Sequence, residues 1–376
     1  ATIRLQPGEN VTCTFTNTAQ AGSITIIKQL EGQVPPDDWQ FTGDLGQFTL
    51  PAAGGSSDPF IRQAGSYTIT ETAVVGYNQA VICDSGETGS DSVTVDLAPG
   101  EVVNCTFINS AKPGSVTIVK QVVGQVPDSP WAFTGDLGGF TIPAAGGTKP
   151  FTKVFAGSYT ISETAVAGYS QSVNCTSEES GLGSVTIELA PGENVTCTFI
   201  NTALPGSITV IKNVVGQAPA DDWQFTGDLG AFTIDATGGN KPLTGIEAGR
   251  YTIKETAQQK VSCDNNASGT ASVTIKLHPG ENVTCTFVNM AEAGSITIVK
   301  TVVGQVPPGD WVYTGDLGEF TIDKAGGTKP FSGLVAGSYT INETAKPGYS
   351  QAVSCDSGES GTGGVTVNLQ PGENVT

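Results

Sequence analysis

The chain has 376 residues, with 17 Lys and Arg against 36 Asp and Glu, for a net charge of −19. That length predicts two to four domains rather than one, and the acidic balance argues against nucleic acid or an anionic membrane surface as a partner. No run of 18 apolar residues is present, so no membrane insertion by a helix is expected. The first residue is Ala1 and no leader pattern follows it, which reads as a processed product or a window on a longer chain.

The chain opens on "LQPGENVTCTFTN", an alternating run in which Val11, Cys13, Phe15 and Asn17 share one face. "GSITIIK" follows at Gly22 and returns as "GSVTIVK" at Gly114, "GSITVIK" at Gly206 and "GSITIVK" at Gly294, spacings of 92, 92 and 88 residues. Between these copies the same landmarks recur in order: "WQFTGDLG" from Trp39, "AGSYTITET" from Ala64, a strand ending at Cys83, and "SVTVDLAPGEVVNCTFIN" from Ser92. The third copy is shorter, because "ETAVVGYNQAVIC" becomes "ETAQQKVSC" around Glu255. The repeats predict segments 21–112, 113–204, 205–292 and 293–376, the last lacking its final strand. Residues 1–20 then read as the last strands of a preceding repeat. "LQPGENVT" occurs at residues 5–12 and again at 369–376, so a strand like Val11–Asn17 is expected to complete the fourth repeat. It would come from a continuing chain or from another copy by strand addition.

Each repeat reads as all-β. Short runs alternate apolar residues with Thr or Ser, and Gly, Pro, Asn and Asp punctuate them. About 90 residues with some seven short strands is the size of an immunoglobulin-like β-sandwich. Tandem units joined by stretches as short as "SAKPG" predict beads on a string with stiff joints. One Trp per repeat is expected in the core.

Cysteines fall at a spacing of 22 in Cys83 and Cys105, Cys175 and Cys197, Cys263 and Cys285. This predicts one disulfide per repeat, and with it an extracellular or cell-surface location. Cys13 and Cys355 are left over and are expected to pair across the seam between repeats. A single His and the absence of CxxC spacing argue against a metal, and no cofactor motif is present. Asp84, Glu87 and Asp91 read as a solvated loop, and "ENVT" at Asn10, Asn194, Asn282 and Asn374 as turn chemistry more than as a glycan acceptor.

Three polar residues end rows of inward-facing apolar ones: Lys28 after Ile24 and Ile26, Glu71 after Tyr67 and Ile69, Asn109 after Cys105 and Phe107. The set returns as Lys120, Glu163 and Asn201, and as Lys212, Glu255 and Asn289. Lys300 and Glu343 have their Asn only at Asn17. Burying an unpaired charge is costly, so two readings remain. Either the three form a buried ion pair with a hydrogen-bonding Asn, or sit at strand ends that reach solvent; or a neutral Lys amine attacks the Asn carboxamide, with Glu moving the protons.

Lys in a first strand, "Y-x-I-x-E-T" in a middle strand and Asn in the last, as in "YTITETAVVGY" and "CTFINSAKPGSVTIVK", resemble the Cna-B and SpaA-type domains of bacterial surface proteins and pilins. The resemblance covers nearly the whole chain as four tandem units. It implies a prealbumin-like (transthyretin-like) sandwich with self-formed Lys–Asn isopeptide bonds. Lys28, Lys120, Lys212 and Lys300 would be nucleophiles, Glu71, Glu163, Glu255 and Glu343 catalysts, and Asn109, Asn201, Asn289 and Asn17 electrophiles. The expected function is structural: an extracellular filament or stalk whose partner is itself, with no enzyme activity on other substrates. The competing class is a cell-surface adhesin whose loops bind a surface ligand. The near-identity of the repeats favours the structural class, since a binding site would make one unit diverge.

Overall fold

β-Branched residues fit a pleated, half-buried surface, and the Val, Ile and Thr runs form strands throughout. The computed structural model describes residues 1–257 and 259–376, and every regular element among them is a strand. Repeat 1 contains β1 (Gly22–Glu31), β2 (Trp39–Gly43), β3 (Phe48–Leu50), β4 (Gly55–Ser56), β5 (Phe60–Arg62), β6 (Gly65–Glu71), β7 (Tyr77–Cys83), β8 (Thr88–Gly89), β9 (Ser92–Leu97) and β10 (Val102–Ala111). The strands exceed the expected seven because several pairing segments are only two or three residues long. One sheet runs β4-β1-β10-β7-β8, with β5 also on β1; the other runs β3-β2-β6-β9.

The order places the first and last strands of the repeat side by side. β1 and β10 pair in parallel, with Lys28 opposite Phe107 and Leu30 opposite Asn109. Both alternate with a period of two: Ile24, Ile26 and Lys28 are buried on β1, and Val103, Cys105, Phe107 and Asn109 on β10. The second sheet closes the sandwich. Phe41 from β2 meets Phe107 edge to face at a centroid distance of 5.2 Å, and Phe133–Phe199 and Phe225–Phe287 repeat the contact at 5.2 and 5.1 Å.

The recurring "TGDLG" has a backbone reason. Gly43 has φ +122°, and a Cβ there would lie 2.2 Å from the Thr68 carbonyl oxygen. The adjacent Asp44 carboxylate accepts the Thr68 N–H at 2.7 Å, so the pair ends β2 against β6.

Cys83 and Cys105 are bonded, as are Cys175–Cys197 and Cys263–Cys285. Cys83 stands directly opposite Cys105 on neighbouring antiparallel strands. The bond therefore staples β7 to β10 within one sheet rather than joining the two sheets.

Repeat 4 differs. Its first strand, Gly294–Lys300, pairs in parallel only with Asn374–Val375, and the hairpin of Val353–Ser354 with Ser360–Gly361 forms a sheet of its own. In repeat 1 it is β10 that lies between the corresponding strands. Its second sheet has the same order as in the other repeats. Residues 1–20 form no strand and are exposed, with Phe15 88% exposed.

Contacts divide the chain into two compact units, Ala1–Val166 with Ser170–Thr202, and Ala167–Tyr169 with Ala203–Thr376. Within the first unit the joint after β10 is hydrogen-bonded on both sides: the Lys112 N–H donates to the Gly76 carbonyl at 2.7 Å, and the Gly192 N–H to the Lys112 carbonyl at 2.8 Å.

Replacing Cys83 and Cys105 together by Ser is expected to destabilise repeat 1 by about 3 kcal/mol, from the loop that the bond closes. Hydrogen exchange resolved to repeat 1 would measure it, and an unchanged exchange rate in β7 and β10 would contradict it.

Candidate functional site

The inward period of two carries a Lys, a Glu and an Asn into each sandwich, and the sheet order brings them together. In repeat 1, Lys28 Nζ lies 3.0 Å from Glu71 Oε1, with neither side chain exposed to solvent. Repeats 2 and 3 match: Lys120–Glu163 at 3.4 Å and Lys212–Glu255 at 2.8 Å, again with no side-chain exposure. The reading in which these residues reach solvent at strand ends is thereby excluded for three repeats. Lys28 Nζ also donates to the Phe107 carbonyl at 3.1 Å, and Lys120 Nζ to that of Phe199 at 3.2 Å, so each amine lies against the last strand.

Asn109 and Asn201 are fully buried, and neither the nitrogen nor the oxygen of either carboxamide has a hydrogen-bond partner. Leaving a buried polar group unpaired costs about 1–3 kcal/mol. In repeat 3 the three residues meet on one atom: Glu255 Oε1 is 2.8 Å from Lys212 Nζ and accepts from Asn289 Nδ2 at 3.3 Å.

Two further residues complete the site that the inward rows of Lys, Glu and Asn left unassigned. The indole of Trp39 lies 4.3 Å from Lys28 Nζ, and Trp131, Trp223 and Trp311 cover Lys120, Lys212 and Lys300 at 4.4, 4.0 and 3.9 Å. The Trp is thus a core residue and also a wall of the site. Gln79 Nε2 donates to Glu71 Oε2 at 2.8 Å, and Gln171 does the same to Glu163 at 2.8 Å. The signal for both was available: the Trp recurs once per repeat, and a Gln stands four residues before the Cys in each, at Gln79, Gln171, Gln259 and Gln351.

Burial dominates the electrostatics. It lowers the Lys28, Lys120 and Lys212 pKa values from the ordinary 10.5, against the opposing pull of the paired Glu. The amine is moved toward its neutral, nucleophilic form in a core that, in repeats 1 and 2, also holds a carboxamide with no partner.

In repeat 4, Lys300 Nζ and Glu343 Oε1 are 2.5 Å apart, but the side chains are 15% and 11% exposed. They line an open groove with Ile298, Tyr313, Val353 and Val365. Tyr313 stands opposite Glu343, and burial, then that carboxylate, pushes its phenol well above the ordinary range. Asn17 lies in the exposed 1–20 segment, and Cys13 and Cys355 are unbonded.

Among the described residues no cluster of three His, Cys, Asp or Glu side chains suited to a metal is found. Asp84 instead accepts from the Asn104 backbone and side chain, at 2.9 and 2.8 Å, within its loop.

The sequence matches two family models, both described as prealbumin-like fold domains of SpaA type, over residues 116–203 in one case and 19–107, 204–287 and 291–376 in the other. The chain belongs to the SpaA-type prealbumin-like domain family. Its fold is accordingly all-β, four prealbumin-like domains in tandem, and such domains are structural rather than enzymatic. No curated protein is matched by its sequence. Among solved structures it is similar to the Bacillus anthracis TIE protein, at 16% identity over 95% of this chain and 68% of that one, with a TM-score of 0.46. It is also similar to the Streptococcus pyogenes major pilin T-13, at 15% identity over 50% and 100%, TM-score 0.25. Two B repeat units of the Staphylococcus aureus collagen binding protein align at 13% identity over 95% and 99%, TM-score 0.21.

The lowered lysine pKa has a signed consequence for this prealbumin-like domain. The unfolded chain holds the Lys28 proton more tightly than the folded one, so stability rises with pH between the lowered value and 10.5. In an Asn109→Ala variant, repeat 1 is expected to gain stability across that window and to be insensitive to Lys28 below it. Denaturant unfolding at a series of pH values checks this; stability falling across the window would contradict it.

Proposed function

We propose that the protein is a structural element of a cell surface, a filament or stalk. In each of repeats 1 to 3 an amide bond joins the first strand to the last: Lys28 to Asn109, Lys120 to Asn201, Lys212 to Asn289. The observation that carries this reading is the buried Lys–Glu pair in the same core as a buried Asn on the neighbouring parallel strand, its carboxamide unpartnered in repeats 1 and 2 and bonded to the Glu in repeat 3. The neutral amine attacks the Asn Cγ while the Glu carboxyl donates a proton to Oδ1. The carboxylate then takes a proton from Nζ and passes it to Nδ2. The Cγ–Nδ2 bond breaks, ammonia leaves, and the carbonyl reforms as Oδ1 returns its proton to the Glu carboxylate. A buried charge and an unsatisfied carboxamide are replaced by a neutral secondary amide, and the site's fixed geometry supplies the proximity.

The strand order makes the bond useful to a stalk. Tension enters a repeat at Gly22 and leaves past Ala111, which shears β1 against β10. An amide from Lys28 to Asn109 carries that tension directly and removes the intervening chain from the path.

In repeat 4 the groove beside Lys300 and Glu343 takes a strand of the Val11–Asn17 pattern, from chain beyond Thr376 or from a second copy. Phe15 would fill the place that Phe107 holds in repeat 1, Cys13 would bond Cys355, and Asn17 would join Lys300. An exposed apolar groove with unpaired strand edges is otherwise an aggregation hazard.

Intact mass is expected to fall by one ammonia per closed repeat, beyond the hydrogens lost to disulfides. Glu71→Ala abolishes the loss in repeat 1 alone, as read from its digest. A mass showing only disulfide loss would leave the three residues as ion-paired polar groups.

On denaturing electrophoresis without reductant, the 376-residue chain is expected to run as a ladder, and to retain part of it after reduction. Material running wholly as the monomer would sink the covalent seam between copies.

A further inference from the structure

The Glu of each site has two oxygens, and the structure uses them differently from repeat to repeat. In repeats 1 and 2 the far oxygen, Oε2, accepts from Gln79 or Gln171, while Oε1 faces the Lys. Gln79 stands directly opposite Asn109 in the β7–β10 register, so the Gln reaches the Glu alongside the Asn. There the Asn carboxamide is free of hydrogen bonds.

Repeat 3 carries the same Gln at the same distance before its cysteine, but its loop is four residues shorter. The strand there begins at Lys260, one residue after Gln259. Gln259 Oε1 accepts from the Met290 backbone at 3.4 Å, and Glu255 Oε2 has no hydrogen-bond partner among the described residues. Asn289 Nδ2 takes up the other oxygen instead. In repeat 4, Gln351 Nε2 donates to the Glu343 backbone carbonyl at 3.1 Å rather than to its carboxyl.

We propose that Gln79 and Gln171 are positioning residues for amide formation, each donating to Glu Oε2 so that the carboxyl carries its proton on Oε1, the oxygen that faces the Lys. This rests on the isopeptide reading above. An N–H donated to Oε2 makes that oxygen an acceptor, and a carboxyl has one proton to place. The proton then points to where Asn Oδ1 must be polarised. The same bond stops the carboxyl from turning to bind the Asn nitrogen, as it does in repeat 3. The Lys Nζ–Cγ bond forms, Cγ–Nδ2 breaks, ammonia leaves and Glu ends protonated, as it began. Gln neither gains nor loses a proton.

The test uses the full 376-residue chain, made as a short pulse of synthesis, sampled over time and digested. Joined and free peptides from repeats 1, 2 and 3 are counted in the same molecules, and the Cys83–Cys105 peptide reports that repeat 1 has folded. In the unsubstituted chain repeat 3 is expected to close after repeats 1 and 2. In Gln79→Leu, repeat 1 should close about tenfold more slowly than repeat 2, the order of one misplaced proton transfer. In Gln79→Glu the new side chain donates only when protonated. Repeat 1 should then be slow at about pH 8 and recover toward the rate of repeat 2 near about pH 5, where that carboxyl approaches its ordinary titration range. A structural role alone would not produce that pH-dependent rescue. If Gln79→Leu closes repeat 1 as fast as repeat 2, the positioning role is overturned. If Gln79→Leu fails to form the disulfide, Gln79→Glu decides, and a rate unresponsive to pH overturns the role. If no repeat of the unsubstituted chain closes, the isopeptide reading itself falls and this role with it.

Discussion

Each of repeats 1 to 3 is organised around a lysine side chain taken out of water between a carboxylate and an indole, on the strand that pairs with the end of the repeat. Such a residue is costly to bury, and breaking a buried pair leaves an uncompensated charge worth about 3–5 kcal/mol. The neighbourhood is arranged around that cost. Glu71 supplies the countercharge, the Trp39 ring covers Nζ, and the Phe107 carbonyl accepts from it. Removing the repeat's last strand would take away one wall of the site, and repeat 4 shows the effect: the same Lys–Glu pair is intact there but partly open to solvent.

The disulfide and the proposed amide would have separate tasks. The disulfide joins β7 to β10, strands that are neighbours in one sheet, and closes a loop lying wholly inside the repeat. It limits the unfolded chain but does not lie between the points where tension enters and leaves. The proposed amide from β1 to β10 would. A cysteine bridge already present on the last strand is therefore no substitute for a bond between the first and last strands, and under the proposed function the two would not be redundant.

Variation among the repeats shows which parts of the site depend on which element. Shortening the loop before β7 in repeat 3 leaves Lys212, Glu255 and Asn289 together, since those come from other strands. It removes the counterpart of Tyr77, whose ring packs edge to face on Trp39 at 5.4 Å, and Trp223 is correspondingly less buried than Trp39. It also frees the Gln from the Glu. The β7 strand thus governs the surroundings of the site, while β1, β6 and β10 carry the residues themselves.

The repeat period, the β character and the inward direction of Lys28, Glu71 and Asn109 were all legible in the chain, because side chains on a strand alternate faces and a charged residue among buried ones interrupts a readable pattern. The even cysteine spacing likewise marked the pairs that are bonded. What that alternation leaves open is adjacency. It assigns a residue to a face of its strand and says nothing of which strand lies next to it. That β10 sits between β1 and β7, that it runs parallel to β1, and that the disulfide consequently lies within a sheet all follow from how two whole sheets pack. So do the placement of Trp39 over Lys28 and of Gln79 on Glu71: each joins residues of strands far apart in sequence, and such neighbours are chosen by the sheet order and the shared core rather than by any local run of residues.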